Sequence, residues 1–404
     1  MVRGRNFVFI GLQPWDLSIG STAKNIAQEV AKSNRVLFVN PPLTRSEWML
    51  QRSDARVRRR LEVIGGKKEC LEQVSDTLWV LTPRKVAESV NFIEPQELYK
   101  VFNRMNDQRL ANEIAYACNR LGMEEYIIFN DNSMLNGFFL KEMLKPTLYI
   151  YLLRDNVIAV DYHKKHGTQM QEELVAKADL VFCNSDYFAD YCRQFNPQTF
   201  MIGQGCDVSL YSDPQGTLEV APELSSIRRP IIGYTGSLTS RRLDIKLLEE
   251  IAIDRPKWSL VLVGPEDEAF RRSRLHEFKH VHFIPTQPVN RLPNFIKGFD
   301  VAINPQAVNV ITNWNYPLKI DEYLALGRAT VATKTVFMEY FGSWVYLATG
   351  AKEYLKMIEK ALTEDSPERQ AARIAYAATH TWENFVSKIY EQIEKCQVKK
   401  PERV

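Results

Sequence analysis

Short apolar runs alternate along the chain with longer segments whose apolar positions recur every three or four residues. A short apolar run bounded by turn residues reads as a buried strand, and an amphipathic segment after it as a helix. In the first half the strands are residues 6–11, 35–40, 78–82, 126–129, 147–152 and 179–183. Helices are expected over residues 21–32, from Pro95 to Leu121, and over 186–195, where Ser185 is placed to cap the first turn. Residues 203–229 break the rhythm with Pro214, Gly216 and Pro222, as an interdomain linker would. The pattern then restarts. Strands are expected at 230–235, 259–263, 281–284, 300–304 and 330–333, with helices at 244–252, 318–325 and between 351 and 395.

Strands alternating with helices make an α/β protein with parallel sheets. Two such series imply two Rossmann-like, doubly wound domains. The expected boundaries are 1–205 for the first domain, 206–229 for the linker, 230–380 for the second domain and 381–404 for a last helix. Ligands of such sheets bind outside the carboxyl ends of the strands, so the loops there are where chemistry is sought.

Composition narrows the class. The 404 residues suffice for two full cores, and a net charge of +3 does not call for a nucleic-acid partner. No apolar run approaches the ~20 residues of a membrane-spanning helix, and the chain does not open with a signal-peptide layout. A cytoplasmic protein is expected. The six cysteines are scattered without metal-ligand or disulfide spacing, so no metal site is expected from them. Neither the dinucleotide fingerprint nor the Walker loop follows the first strand of either half, which counts against an NAD-linked oxidoreductase and an ATPase.

The strongest local feature is residues 317–327, Pro-Leu-Lys-Ile-Asp-Glu-Tyr-Leu-Ala-Leu-Gly. Pro317 suits a first helical turn, which puts Lys319 in that turn, where a cation is unfavourable unless an anion lies nearby. Glu322 shares its face. The functional reading is a diphosphate on the helix end and Lys319, with Glu322 on a ribose; the alternative is an ordinary surface ion pair. A second feature, Gly233-Tyr-Thr-Gly-Ser-Leu-Thr-Ser-Arg-Arg, ends a strand in Gly236 and Ser237 and supplies Arg241 and Arg242 for phosphate contacts.

Together these segments resemble the GT-B glycosyltransferases, in particular the glycosyl transferases group one. The Pro317-x-Lys319-x-x-Glu322-Tyr-Leu-Ala-x-Gly327 block is similar to that family's signature. Tyr234-Thr-Gly-Ser-Leu and Trp258-Ser-Leu-Val-Leu-Val-Gly-Pro resemble the opening strands of its second domain. Asp179-Leu-Val-Phe-Cys-Asn-Ser, Gly205-Cys-Asp207 and Thr381-Trp-Glu-Asn-Phe resemble the end of the first domain, the linker entry and the last helix.

The resemblance implies two domains facing a cleft, with the last helix crossing back to the first. It also implies transfer of a sugar from a nucleotide-sugar donor, UDP- or GDP-linked, to a glycan or lipid-linked acceptor in polysaccharide biosynthesis, with no further cofactor. Lys319 and either Arg241 or Arg242 would face the diphosphate and Glu322 the ribose, with Gly236, Ser237 and Gly20 lining the cleft. Two positions depart from the pattern. Trp314 stands where many members carry a second acid, and Ala329 where they carry proline. The missing acid raises the alternative of an inactive GT-B protein that binds a glycan or a partner.

For the catalytic base the candidate is Asp155, just after the strand 147–152, with Asp131 and Asp161 as rivals. An aspartate there could take the proton of an attacking hydroxyl; its alternative is a turn cap. His163 reads as an acceptor contact, and its spacing to His166 is a weak metal pattern. Arg56, Arg58, Arg59, Arg60, Lys67 and Lys68 follow Trp48, Met49 and Leu50. They read either as a solvated helix face or as a peripheral contact with anionic lipid at the inner face of the cell membrane.

Overall fold

The computed structural model describes residues 2–17, 21–159, 161–310 and 312–398. The chain divides into two compact units, one of Met1–Gly203 with Phe385–Val404, the other of Gln204–Asn384.

The first unit runs β1 (Asn6–Gly11), α1 (Thr22–Ala31), β2 (Arg35–Val39), α2 (Arg45–Leu50), α3 (Ala55–Ile64), β3 (Leu71–Ser75), β4 (Leu78–Leu81), α4 (Gln96–Leu121), β5 (Tyr126–Asp131), α5 (Leu140–Leu144), β6 (Leu148–Leu153), α6 (Asp161–Lys177), β7 (Leu180–Cys183), α7 (Asp186–Arg193) and β8 (Thr199–Met201). Its sheet is ordered β3-β4-β2-β1-β5-β6-β7-β8. Strands covered on both faces are apolar throughout, and every residue of β6, Leu-Tyr-Ile-Tyr-Leu-Leu, is buried. The strand β3 differs. It pairs antiparallel to β4 at the sheet edge, and its Leu-Glu-Gln-Val-Ser is mostly exposed. The order reverses between β1 and β5, so the loops after these two strands flank the switch point.

The second unit runs β9 (Ile231–Thr235), α8 (Ile245–Asp254), β10 (Ser259–Val263), α9 (Glu268–Arg271), β11 (Val281–Ile284), α10 (Leu292–Gly298), β12 (Val301–Asn304), α11 (Lys319–Ala325), β13 (Thr330–Thr333), β14 (Tyr346–Ala348), α12 (Gly350–Glu364) and α13 (Pro367–Ala377). Its sheet, β11-β10-β9-β12-β13-β14, reverses between β9 and β12. The last helix, α14 (Trp382–Val398), begins in the second unit and from Phe385 belongs to the first. There the Asn34 amide donates to the Tyr390 hydroxyl at 2.8 Å, and Lys388 Nζ donates to the Ile202 carbonyl at 3.3 Å.

Two segments far apart in sequence meet within the second unit. Cys206 pairs with Thr381 as a short parallel bridge. A Cβ on Gly205 would lie 2.3 Å from the Trp382 ring, so only glycine lets the indole close over this turn.

Candidate functional site

At the switch point of the second unit, β9 ends in Thr235 and the chain turns at Gly236, whose φ is +134°. The neighbouring strand β10 is followed by Gly264, with φ +148°. The Gly236 N–H donates to the Val263 carbonyl at 2.9 Å. The two turns are in direct contact, because a Cβ built on Gly264 would lie 2.0 Å from the Gly236 carbonyl oxygen. Glycine is required at 264 for both its backbone conformation and this close approach.

The helix α11 is tied to the same strand end. The Thr235 N–H donates to the Tyr323 hydroxyl at 3.0 Å. One turn earlier, the Lys319 ammonium lies over the Tyr234 ring, 5.1 Å from its centroid. A Cβ on Gly236 would approach Lys319 Cε to 3.4 Å. Lys319 is thus held beside the bare backbone of the Gly236 turn. Glu322 follows on the helix, half-buried, with a hydrogen bond from the Tyr211 hydroxyl. Burial pushes the Glu322 carboxyl up to about 7, against the pull of Lys319. Near neutral pH it therefore exchanges between an acid and a carboxylate able to accept two hydroxyl hydrogen bonds.

The sequence-based placement of Pro317 needs a correction. The helix starts at Lys319 with Leu318 in the cap position, so buried Pro317 lies one residue before the cap rather than in the first turn. Its carbonyl accepts from the Ile320 N–H at 2.9 Å. With seven residues, α11 has too few aligned peptides for its end to serve as an anion site. The side chains around it carry the electrostatics.

The Asp321 carboxylate escapes a reading based on spacing. It is fully buried, accepting from the Tyr316 hydroxyl at 2.7 Å and facing His380 Nδ1 at 2.7 Å. Burial raises its pKa, and the two partners pull it back down. The only signal in the sequence was an acid set between Ile320 and Leu324 on the apolar face; nothing local pointed to His380, 59 residues away. The bond ties α11 to His380, just before the last helix.

Arg241 and Arg242 are both exposed in the turn before α8. Arg242 lies near enough to oppose the burial-driven rise of the Tyr234 hydroxyl's pKa. The Arg241 carbonyl is occupied by the Asn309 amide at 2.9 Å. Ser237 is exposed, and its carbonyl receives the Tyr234 hydroxyl at 3.4 Å. Trp314 is half-buried in the loop between β12 and α11.

In the first unit, Asp155 follows β6 by two residues. Its carboxylate is bound by the Arg154 guanidinium, which also grips buried Asp131 at 2.7 and 3.0 Å. Burial disfavours the Arg154 cation, but the two carboxylates outweigh it and raise its pKa. Asp131 is thus fully enclosed in an ion pair, while the Asp155 side chain keeps 35% of its surface exposed. The Asn132 amide donates to the Asp155 carbonyl at 3.0 Å and fixes the loop. Asp161 begins α6. Gly20 lies outside the described residues.

His163 lines a polar pocket at the carboxyl ends of β1 and β5, together with Asn91, Asn103, Asn132, Ser133 and Tyr99. Its Nδ1 and the Asn91 Oδ1 are buried with no hydrogen-bond partner among the described residues. Burial lowers the His163 pKa and favours the neutral ring. His166 does not share this role. It stacks on Tyr99 at 3.8 Å, and its Nδ1 meets Gln96 Oε1 at 2.6 Å.

Two Rossmann-like units, the second with a lysine and a glutamate held beside a two-glycine switch point, define an α/β protein of the GT-B class. Residues 229–364 match the family described as Glycosyl transferases group 1, the family named from the Lys319–Glu322 block. Over 191 residues the chain is 23% identical to a Bacillus subtilis (strain 168) protein that carries the name teichuronic acid biosynthesis glycosyltransferase TuaH, covering 45% of this chain and 46% of that one. The match thus spans about half the length of this curated relative. Among solved structures, HepE of Anabaena in complex with UDP superposes with a TM-score of 0.66 at 15% identity, over 97% of this chain and 100% of that one. Sucrose-phosphate synthase of Thermosynechococcus elongatus superposes with a TM-score of 0.68 at 15% identity, over 98% and 100%. At such identities the superpositions establish the fold.

Proposed function

We propose that the protein is a glycosyltransferase that moves a sugar from a nucleotide-sugar donor to a glycan or lipid-linked acceptor. The observation that carries this reading is Lys319 seated on the Gly236–Gly264 turns, with Glu322 one turn along the helix. A cation beside bare backbone suits a diphosphate, and a carboxylate behind it suits a ribose diol. Arg242 is the second phosphate ligand in this reading, and the exposed Ser237 beside the Gly236 turn offers its hydroxyl to a remaining oxygen. A UDP-linked donor is favoured, because similar structures were solved with UDP and with UDP-glucose.

In the transfer, an acceptor hydroxyl attacks the anomeric carbon and the bond to the diphosphate breaks. Negative charge grows on the leaving phosphate oxygen, and fixed cations there lower the barrier. Lys319 and Arg242 supply them. Asp155 is proposed to take the hydroxyl proton. Arg154 orients this carboxylate, and the proton transfer accompanies attack on the anomeric carbon. His163 and Asn91 are proposed to contact acceptor hydroxyls, supported by two buried polar atoms, His163 Nδ1 and Asn91 Oδ1, without a partner among the described residues.

Among the described residues no helix is long and apolar enough to cross a membrane. The exposed Arg56, Arg58 and Arg59 support the separate reading that a lipid-linked acceptor is met by a peripheral contact at the inner face of the cell membrane. The test is a thermal-shift and hydrolysis screen with UDP-, GDP- and CMP-sugars. Stabilisation by one nucleotide with slow release of its sugar supports the reading. No stabilisation and no turnover with any of them overturns it.

A further inference from the structure

The first half of α4 is inside out. A helix on a soluble domain turns its apolar stripe inward. Here Asn103, Asn106 and Asp107 are buried, while Leu98, Val101, Phe102 and Met105 are between 39% and 58% exposed. The spacing of these four, three and four apart, places them on one face. The inward polar residues have evident tasks. Asn103 donates to the Leu135 carbonyl at 2.8 Å. Asn106 exchanges two hydrogen bonds with the Glu88 backbone, both at 2.9 Å. Asp107 accepts from the Phe139 N–H at 2.9 Å. The outward apolar stripe has no such explanation within the unit.

The stripe does not stand alone. Phe92, just before α4, is 76% exposed. Glu88 and Ser89 lead into that segment, and the Ser46 N–H of α2 donates to Ser89 Oγ at 2.9 Å. None of the six residues of α2 is buried, and it ends in exposed Met49 and Leu50. The exposed Tyr162 side chain is near enough to Glu47 of α2 to feel its charge, and the Tyr162 carbonyl accepts from Asn91 at 2.8 Å. Hydrogen bonds thus join α2 to the segment before α4, and that segment to the start of α6.

The charge beside this apolar surface is mainly positive, with Arg45, Arg56, Arg59, Arg60 and Lys68 paired to carboxylates. Residues 45–68, spanning α2 and α3, hold eight Lys or Arg against three Asp or Glu, a net +5 where the whole chain has +3. Arg52, Arg58 and Lys67 are exposed. The two carboxylates at the start of α4 are paired, Glu94 with Lys165 at 2.7 Å and Glu97 with Lys100 at 3.6 Å. Exposed apolar side chains next to a concentrated positive charge are complementary to a bilayer bearing anionic headgroups.

We propose that the outward face of α4, with the tips at Phe92, Met49 and Leu50, inserts into an anionic lipid surface, and that the basic α2–α3 segment binds its headgroups. The inference deepens the proposed function by naming the surface that would meet a lipid-linked acceptor, and it rests on that reading for its purpose alone. Vesicle binding is measured without any sugar transfer, so either can fail without the other.

The experiment is co-flotation of the full chain with phosphatidylglycerol/phosphatidylcholine vesicles and with phosphatidylcholine vesicles. The wild type is expected to float with the first, weakly with the second, and less at high salt. The triple variant Val101→Ser, Phe102→Ser, Met105→Ser should lose at least tenfold in partitioning. These positions are exposed, so its melting temperature and UDP affinity should match the wild type. A separate Arg58→Glu, Lys67→Glu variant should lose binding to the anionic vesicles only. Wild type that floats with neither vesicle, or a triple variant that floats as well as wild type, overturns the proposal. So does a wild-type dimer in light scattering that the triple variant disperses, since a second copy would then be the occupant.

Discussion

Replacing Gly264 by alanine tests whether the two-glycine contact positions the donor site. The added Cβ would lie 2.0 Å from the Gly236 carbonyl oxygen and 2.8 Å from its carbonyl carbon. Carbon and oxygen in ordinary contact need about 3.3 Å, so one turn must move by roughly 1 Å. Gly264 also has φ +148°, where an L side chain is strained. Holding a residue in such a region costs about 1–3 kcal/mol. For a domain of this size that lowers the melting temperature by roughly 2–4 °C per kcal/mol. The functional effect should be larger than the stability effect. Gly236 carries Lys319 against it, and a 1 Å misplacement of a binding group can cost about 10²-fold in rate. The assay is UDP affinity by calorimetry, well below the melting temperature, with Gly216→Ala as control. Gly216 also has a positive φ, +68°, but open space around its Cβ, so it should lose stability and keep UDP affinity. Gly264→Ala should lose at least tenfold in affinity. A folded Gly264→Ala that binds UDP like the wild type would refute the argument.

Four further outcomes follow from the same geometry. Because burial raises the Glu322 carboxyl to about 7 from an ordinary 4.5, the folded state holds a proton that the unfolded chain releases. That contribution to stability is full below pH 4.5 and lost as pH rises through 7. Glu322→Gln should therefore be more stable than wild type at pH 8, by on the order of 2 kcal/mol, and not at pH 4. Wild-type UDP affinity should rise through pH 7 as the carboxylate forms, while that of Glu322→Gln stays flat, as titration calorimetry at several pH values would show. Asp155→Asn should lower kcat by about 10²–10⁴ and leave UDP affinity intact; equal losses in both would make it structural. Arg242→Ala should weaken UDP by about tenfold while Arg241→Ala changes it less than about twofold, each ~1.4 kcal/mol being a factor of ten. The reverse order in a binding titration would reassign the phosphate ligand.

Most of the sheet framework was legible because its strands are buried on both faces and therefore read as continuous apolar runs. Where that condition fails, so does the reading. The antiparallel β3 is an exposed edge strand whose Leu-Glu-Gln-Val-Ser has no apolar run, and β8 and β14 have three residues each. The helix at 318–325 was found within one residue, but Pro317 was not inside it, since proline also suits the residues leading into a cap. Lys319 and Glu322 were visible as a pair at helical spacing. The bond between Asp321 and His380 was not, because a long-range contact leaves no local trace. The repeat of apolar positions in the inside-out α4 marks a helix, but a repeat does not say which face turns inward. That depends on the loops at Glu88, Leu135 and Phe139 that its Asn and Asp side chains hold.

The central claim is that Lys319 binds the diphosphate of a nucleotide-sugar donor. Its most direct test is UDP affinity by titration calorimetry for wild type, Lys319→Ala and Lys319→Arg. Wild type is expected to bind measurably, Lys319→Ala to lose about 10²-fold, as for a charge-assisted phosphate contact, and Lys319→Arg to recover part of the loss. A folded Lys319→Ala that binds UDP as tightly as the wild type would contradict it.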